Sequence, residues 1–172
     1  MSYIYKRLDK SEITSQIFQQ IVDVENAEGD GYTKQQLENI WLTDPKDDNF
    51  VCMDGETIVG HISVNPLSKR RNGSLFVINL VVSPSYRRQG IAQNLIKTVV
   101  DFYIKKGARL PMSITVDKDN SPAIKLYQKV GFEIKTPVCE IDEDDTQYIL
   151  DSTLENINEK IENIFIQNYC KE

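Results

Sequence analysis

The run Leu80-Val81-Val82-Ser83-Pro84-Ser85-Tyr86-Arg87-Arg88-Gln89-Gly90-Ile91-Ala92 carries the most chemistry in this chain. An apolar, β-branched stretch stops at a proline, turns, and restarts as a helix through Arg-Arg-Gln-Gly. A strand feeding such a turn aims several free backbone N–H groups at one point in space. Arg87 and Arg88 stand beside that point. Together these features suit a phosphorylated ligand. The same residues also suit a plainer role, with Gly90 starting a helix and the arginines paired in solvent.

The elements around this turn are legible from periodicity and punctuation. Tyr3–Leu8 alternates as a first strand. Asp9-Lys10-Ser11-Glu12 then offers a capping box, with Ile13, Ile17, Ile21 and Val24 at helical spacing. A turn at Glu28–Gly31 follows, and Thr33 with Gln36 caps a short second helix ending near Leu42. Phe50–Met53 and Thr57–Val64 flank Asp54-Gly55, a hairpin signal. Pro66–Gly73 is a longer loop whose Lys69-Arg70-Arg71 suits a solvated tip or an outlying phosphate. Ser74–Val82 is nearly all apolar, as a strand covered on both faces requires. The helix from Gln89 buries Ile91, Leu95, Val99 and Ala92, Ile96, Val100, and stops at Gly107.

Met112–Val116 is another buried strand. Ser121-Pro122 opens a helix that stops at Gly131. Phe132–Ile141 and Gln147–Leu154 read as an antiparallel pair. Last comes Glu155–Tyr169, with Ile157, Ile161, Ile164, Phe165 and Tyr169 on one face. Hairpins followed by strand–helix–strand crossings predict an α/β chain with a mixed sheet and helices on both faces.

Length and composition narrow the function classes. With 172 residues, 40% hydrophobic and 27% charged, the chain is expected to be one soluble domain. No apolar run reaches a membrane span, and the start lacks a signal-peptide core, so a cytoplasmic protein is expected. Cys52, Cys139 and Cys170 are scattered and form no CxxC pair, which favours reduced thiols and no metal. The net charge of −6 is uneven, because residues 138–172 hold ten acids against two lysines. The remainder is nearly neutral, which argues against a nucleic-acid partner.

Two motifs in order resemble one family. Arg87-Arg88-Gln89-Gly90-Ile91-Ala92 fits the (Q/R)-x-x-G-x-(G/A) pattern of the GCN5-related N-acetyltransferases. Asn120-Ser121-Pro122-Ala123-Ile124-Lys125-Leu126-Tyr127-Gln128-Lys129-Val130-Gly131-Phe132 resembles its second signature: an Asn, a Tyr seven residues later, then Gly-Phe. The resemblance spans residues 3–152 and implies that family's fold. It implies acetyl-CoA as cosubstrate, with pantetheine amides pairing to the backbone of Leu80, Val81 and Val82. The pyrophosphate would sit on the N–H groups of Arg88, Gln89, Gly90, Ile91 and Ala92, with Arg87 and Arg88 adding charge. At Gly90 a Cβ would block that approach, and Ala92 keeps it narrow.

The resemblance also places Tyr127 as the donor of a proton to the departing thiolate, and Asn120 as a hydrogen-bond partner of the cofactor. Tyr127 equally suits the buried face it shares with Ala123 and Val130, and Asn120 equally suits a helix-start turn. No base is assigned. Leu75–Val82 holds no carboxylate or histidine, and Thr115 stands where relatives acting on protein N-termini carry Glu. His61, the sole histidine, lies on a strand where packing is the expected role. Glu28 and Asp30 border the acceptor side by resemblance.

The resulting expectation is an acetyltransferase acting on a primary amine, of a peptide or protein or of a small molecule, by direct attack in a ternary complex. A non-catalytic acyl-CoA-binding or interaction module with the same fold is the alternative. Residues 1–154 would form the domain. The helix at 155–172 would pack on it or join a second copy, giving a monomer or a homodimer.

Overall fold

Seven strands form one mixed sheet in the order β1-β2-β3-β4-β5-β7-β6. The structure, a computed structural model, describes residues 2–27, 33, 35–36, 47–66, 74–135 and 146–169. The strands are β1 (Ile4–Leu8), β2 (Asp48–Asp54), β3 (Thr57–Asn65), β4 (Leu75–Val82), β5 (Pro111–Asp117), β6 (Glu133–Lys135) and β7 (Gln147–Thr153). The longer helices among the described residues are α1 (Ser15–Glu25), α2 (Ile91–Lys105), α3 (Ser121–Lys129) and α4 (Leu154–Tyr169). The mixed sheet expected from the sequence is therefore present. Chain contacts divide into two units: Met1–Pro66 with Ile78–Val99, and Leu67–Val77 with Val100–Glu172.

In the first unit the antiparallel ladder β1–β2–β3 carries the core. Leu8, Phe18, Ile21, Val22, Val24, Val51 and Ile58 form a buried cluster, with Ile13, Ile17, Met53 and Val81 packed against it. That is the apolar stripe of α1 laid on one sheet face. The capping box at Asp9 and Glu12 forms, but it closes only a 3-10 turn over Lys10–Glu12. Thr14 then opens α1 by accepting a hydrogen bond from the Ile17 N–H at 3.2 Å. Two start signals in six residues give two turns, and the second one carries the helix.

The β2–β3 register skips a residue: Cys52 faces Gly60 while Met53 faces Ile58. Val59 is thus an extra residue in β3, a bulge that resets which side chains point to which face. Gly60 lands where a Cβ would lie 3.0 Å from the Val81 carbonyl oxygen and 3.3 Å from both Ile91 Cγ2 and Val82 Cγ2. Only glycine lets these chains approach so closely. Gly60→Ala is expected to lower stability by about 1–3 kcal/mol through overpacking. A urea midpoint that drops at unchanged slope checks it.

In the second unit β4 and β5 run parallel, with Leu75↔Met112, Phe76↔Ser113 and Val77↔Ile114 in register. Among the described residues that register extends no further than Val77. β5 and β6 both pair with β7 antiparallel. The expected strand at 132–141 is seen at Glu133–Lys135, and residues 136–145 lie outside the described residues.

α4 follows β7 directly and buries Leu154, Ile157 and Ile161 completely, while Ile166 is 60% exposed. Its anchor is polar. Asn156 Nδ2 donates to the Gly131 carbonyl at 2.8 Å and to Ser152 Oγ at 2.9 Å. Gly131 has φ +100, and a Cβ there would stand 2.9 Å from Asn156 Nδ2. Gly131→Ala therefore combines backbone strain with a clash and is expected to cost about 2–3 kcal/mol. Earlier proteolytic release of the α4 segment would check it.

Candidate functional site

β4 ends where Ser83 N–H donates to the Val59 carbonyl at 2.9 Å. Pro84 then opens a single 3-10 turn, Pro84–Tyr86, closed by Tyr86 N–H on Ser83 O at 2.9 Å. Arg88 follows with φ +64, the one non-glycine positive φ among the described residues, and Gly90 has φ +79. Two left-handed residues on either side of Gln89 reverse the chain and point it into α2. Holding a residue with a Cβ in that region costs about 1–2 kcal/mol. Such local strain, outweighed by the rest of the fold, is frequent where a ligand is held.

The first bond of α2 runs from Asn94 N–H to Gly90 O at 3.0 Å. The N–H groups of Ile91 and Ala92 are therefore outside the helical ladder. Among the described residues no acceptor is found for the N–H groups of Arg88, Gln89 or Gly90. A Cβ built on Gly90 would meet nothing nearer than Asn94 Nδ2 at 3.6 Å. The space where a Gly90 side chain would begin is thus open, and the glycine answers first to its positive φ. A phosphate group fits here: donors converge at the positive end of a helix, with Arg88 exposed beside them.

Neighbouring elements brace the turn. Tyr3 OH donates to Gln89 Oε1, and Gln89 Nε2 donates to Ser85 O at 3.4 Å. The Tyr3 ring meets the Tyr86 ring edge-on at 6.3 Å, and Tyr86 OH donates to Asp54 Oδ2 at 3.3 Å. Arg87 Nε donates to Val82 O at 3.0 Å, so this side chain fastens the turn to the end of β4. The sequence assigns Arg87 and Val82 to the ligand; in the structure they bind each other. None of these tyrosine contacts carries a sequence signal, because the partners are distant along the chain.

In the second unit, Asn120 caps α3 by accepting from Ala123 N–H at 3.2 Å. Its turn role is therefore realised. Tyr127 lies on α3, 6% exposed, its ring edge-on to Phe132 at 5.9 Å. Burial pushes its hydroxyl up to about 12, so the phenol stays protonated at neutral pH. Among the described residues that hydroxyl has no hydrogen-bond partner. Glu28, Asp30, Lys69, Arg70, Arg71, Cys139 and Cys170 lie outside the described residues. Burial pushes the Cys52 thiol up, which suits an inert packed cysteine.

His61 is fully buried, as its place on a strand suggested, and it has a partner that the sequence did not reveal. Its Nε2 is hydrogen-bonded with Glu25 Oε1, and Asn79 Nδ2 donates to the same oxygen at 2.8 Å. The Val59 bulge brings His61 to the α1 side of the sheet, opposite Gly60.

A strand that runs through a turn with two left-handed residues into the start of a helix belongs to an α/β protein with a mixed sheet. Residues 14–132, more than half of the chain, match the acetyltransferase (GNAT) family, and the chain belongs to it. It is similar to the L-amino acid N-acetyltransferase AaaT of Escherichia coli K12, 30% identical over 84 residues, 49% of this chain and 51% of that one. It is also similar to the chloroplastic GCN5-related N-acetyltransferase 6 of Arabidopsis thaliana, 38% identical over 109 residues, 59% of this chain and 36% of that one. The chain thus spans about half or less of the length of these two relatives. The solved structure of the ribosomal-protein-S18-alanine N-acetyltransferase from Escherichia coli shares the fold with a TM-score of 0.70. It is 16% identical, with 89% of this chain and 94% of that one covered.

Proposed function

We propose that this protein transfers an acetyl group from acetyl-CoA to a primary amine by direct attack in a ternary complex. The observation that carries the proposal is the Arg88–Gly90 turn, whose two left-handed residues lead into helix-start N–H groups that have no acceptor among the described residues. Arg88, Gln89, Gly90, Ile91 and Ala92 hold the pyrophosphate through these donors, and the Arg88 guanidinium adds charge. The backbone of Leu80, Val81 and Val82 pairs with pantetheine, and Arg87 steadies that strand end through the Val82 carbonyl. Asn120 keeps a side-chain amide donor for the cofactor while its Oδ1 caps α3. Tyr127 serves the departing sulfur as hydrogen-bond donor.

The acceptor is an amine on a peptide or protein, or on a small molecule such as a polyamine, an amino sugar or an amino acid. The protein works in the cytoplasm, as a monomer or homodimer, without nucleic acid or membrane. Among the described residues no helix is long and apolar enough to cross a membrane.

Purified protein is incubated with acetyl-CoA and a panel holding free L-amino acids, spermidine, an aminoglycoside and a peptide with a free N-terminus, and free thiol is followed. Saturable thiol release with one panel class supports the reading and identifies the acceptor. Tight acetyl-CoA binding without release on any amine would instead make the chain a binding module.

A further inference from the structure

Glu25, His61 and Asn79 form a buried polar cluster for which the reaction above has no use. Glu25 is the last residue of α1, so its carboxylate lies at the helix end where the dipole disfavours negative charge. Its side chain is only 5% exposed, which adds a desolvation cost. Two donors offset these costs, His61 Nε2–H and Asn79 Nδ2–H, and both end on the same oxygen, Oε1. With Glu25 ionised, as a base must be, the imidazole is the donor of this pair, through Nε2. The other oxygen, Oε2, has no partner among the described residues. A carboxylate tied at one oxygen and open at the other is held ready for a proton or an ammonium group.

Its place along β4 makes this useful. Asn79 directly precedes Leu80, Val81 and Val82. With the pyrophosphate on Arg88–Ala92 and pantetheine extended along those three residues, the thioester end of the donor falls at the Asn79 end of the stretch. β4 carries no carboxylate of its own, and the Thr115 hydroxyl is no base at neutral pH. The cluster supplies what the strand lacks.

We infer that Glu25 is the catalytic base, with His61 and Asn79 as its positioning residues; this rests on the function proposed above. The amine nitrogen forms its bond to the thioester carbonyl carbon, and the amine proton passes to Glu25 Oε2. The C–S bond breaks, and the sulfur leaves with the bonding pair as the CoA thiolate. His61 and Asn79 keep Oε1 occupied, so the open lone pairs of Oε2 face the amine.

The test uses the full chain and the panel amine that the wild type turns over best. Glu25→Gln keeps the size of the side chain and an acceptor oxygen for both donors. It is expected to melt near the wild type, to bind acetyl-CoA within about twofold, and to lose at least ~100-fold in kcat, the range of a lost general base. Asn79→Ala is expected to lower kcat about tenfold at unchanged KM for acetyl-CoA, a split that mere loosening of the fold would not give. Glu25→Gln with kcat within threefold of the wild type overturns the inference and leaves the proposed function standing. Wild-type protein that binds acetyl-CoA but acetylates nothing overturns the proposed function, and the base with it. If Glu25→Gln does not fold, Glu25→Asp decides: it keeps the charge beside His61 but withdraws the carboxylate by one methylene. A tenfold or larger loss in kcat supports the base, and an unchanged kcat overturns it.

Discussion

Gly90→Glu protein is expected to fold and to lose acetyl-CoA affinity by at least ~10³-fold, while Gly90→Ala loses about tenfold. The two variants share one defect and differ in another. Both force a Cβ onto φ +79, a left-handed backbone that costs an L-residue about 1–2 kcal/mol. Neither meets a wall of protein, since the nearest atom to that Cβ is Asn94 Nδ2 at 3.6 Å. Folding should therefore survive with a small drop in midpoint. Binding should not. The glutamate brings a negative charge to the donors that would hold a pyrophosphate, and it competes for the same N–H groups. Two like charges at about 4 Å and an effective dielectric near 20 repel by about 4 kcal/mol, which is already close to 10³-fold. Isothermal titration of both variants with acetyl-CoA checks this. Equal affinities for the alanine and glutamate variants would remove the pyrophosphate from this turn.

The legibility of the chain follows the range of each interaction. α2 could be placed within two residues because its stripe repeats every three to four positions and Gly107 stops it with φ +73. The β2–β3 hairpin was equally readable, since Asp54-Gly55 encodes its own turn and Gly55 adopts φ +59. These are local signals. The bulge at Val59 was not legible, because it consists of a mismatch between two strands and neither strand alone records it. With the bulge unseen, the face on which His61 points could not be derived, and its partner stayed hidden. Glu25 lies 36 residues before His61 and 54 before Asn79. No periodicity connects them. The sheet brings them together once α1 lies on it.

The same distinction runs through the site. Gly90 could be singled out because a glycine after two arginines at a helix start is a local pattern. The positive φ of Arg88 could not, because arginine is not a residue that seeks the left-handed region. Nor could the bracing of Gln89 by Tyr3, across 86 residues. Such a brace explains how a strained turn persists in the protein. Tyr3→Phe is expected to leave the fold intact and to weaken acetyl-CoA binding about threefold, through a looser Gln89; a fluorescence titration reads it.

Tyr127→Phe is expected to lower kcat by about 10²-fold with acetyl-CoA affinity unchanged within twofold. The ring keeps its edge-on contact with Phe132, and the hydroxyl it loses has no partner among the described residues. Nothing buried is left unsatisfied, so stability should barely move. In the proposed reaction the kinetic effect would come from the leaving sulfur. Burial has pushed the Tyr127 hydroxyl up to about 12. A thiol titrates near ~8.5, so complete transfer of the phenolic proton to a thiolate runs uphill by about 5 kcal/mol. Tyr127 is thus better suited to a strong hydrogen bond to the sulfur as charge develops than to the role of free acid. One donor aimed at developing charge contributes about 10²–10³-fold. The raised value also fixes the sign of the pH dependence. The neutral phenol is favoured in the folded protein, so it contributes stability below pH ~10 that is lost as pH rises through about 12. Between pH 7 and 10 the phenol does not titrate. The wild-type and Tyr127→Phe profiles of kcat should then run parallel, about two log units apart. Curves that converge above pH 9 would mean that Tyr127 ionises in that range, and that it gives up its proton as an acid.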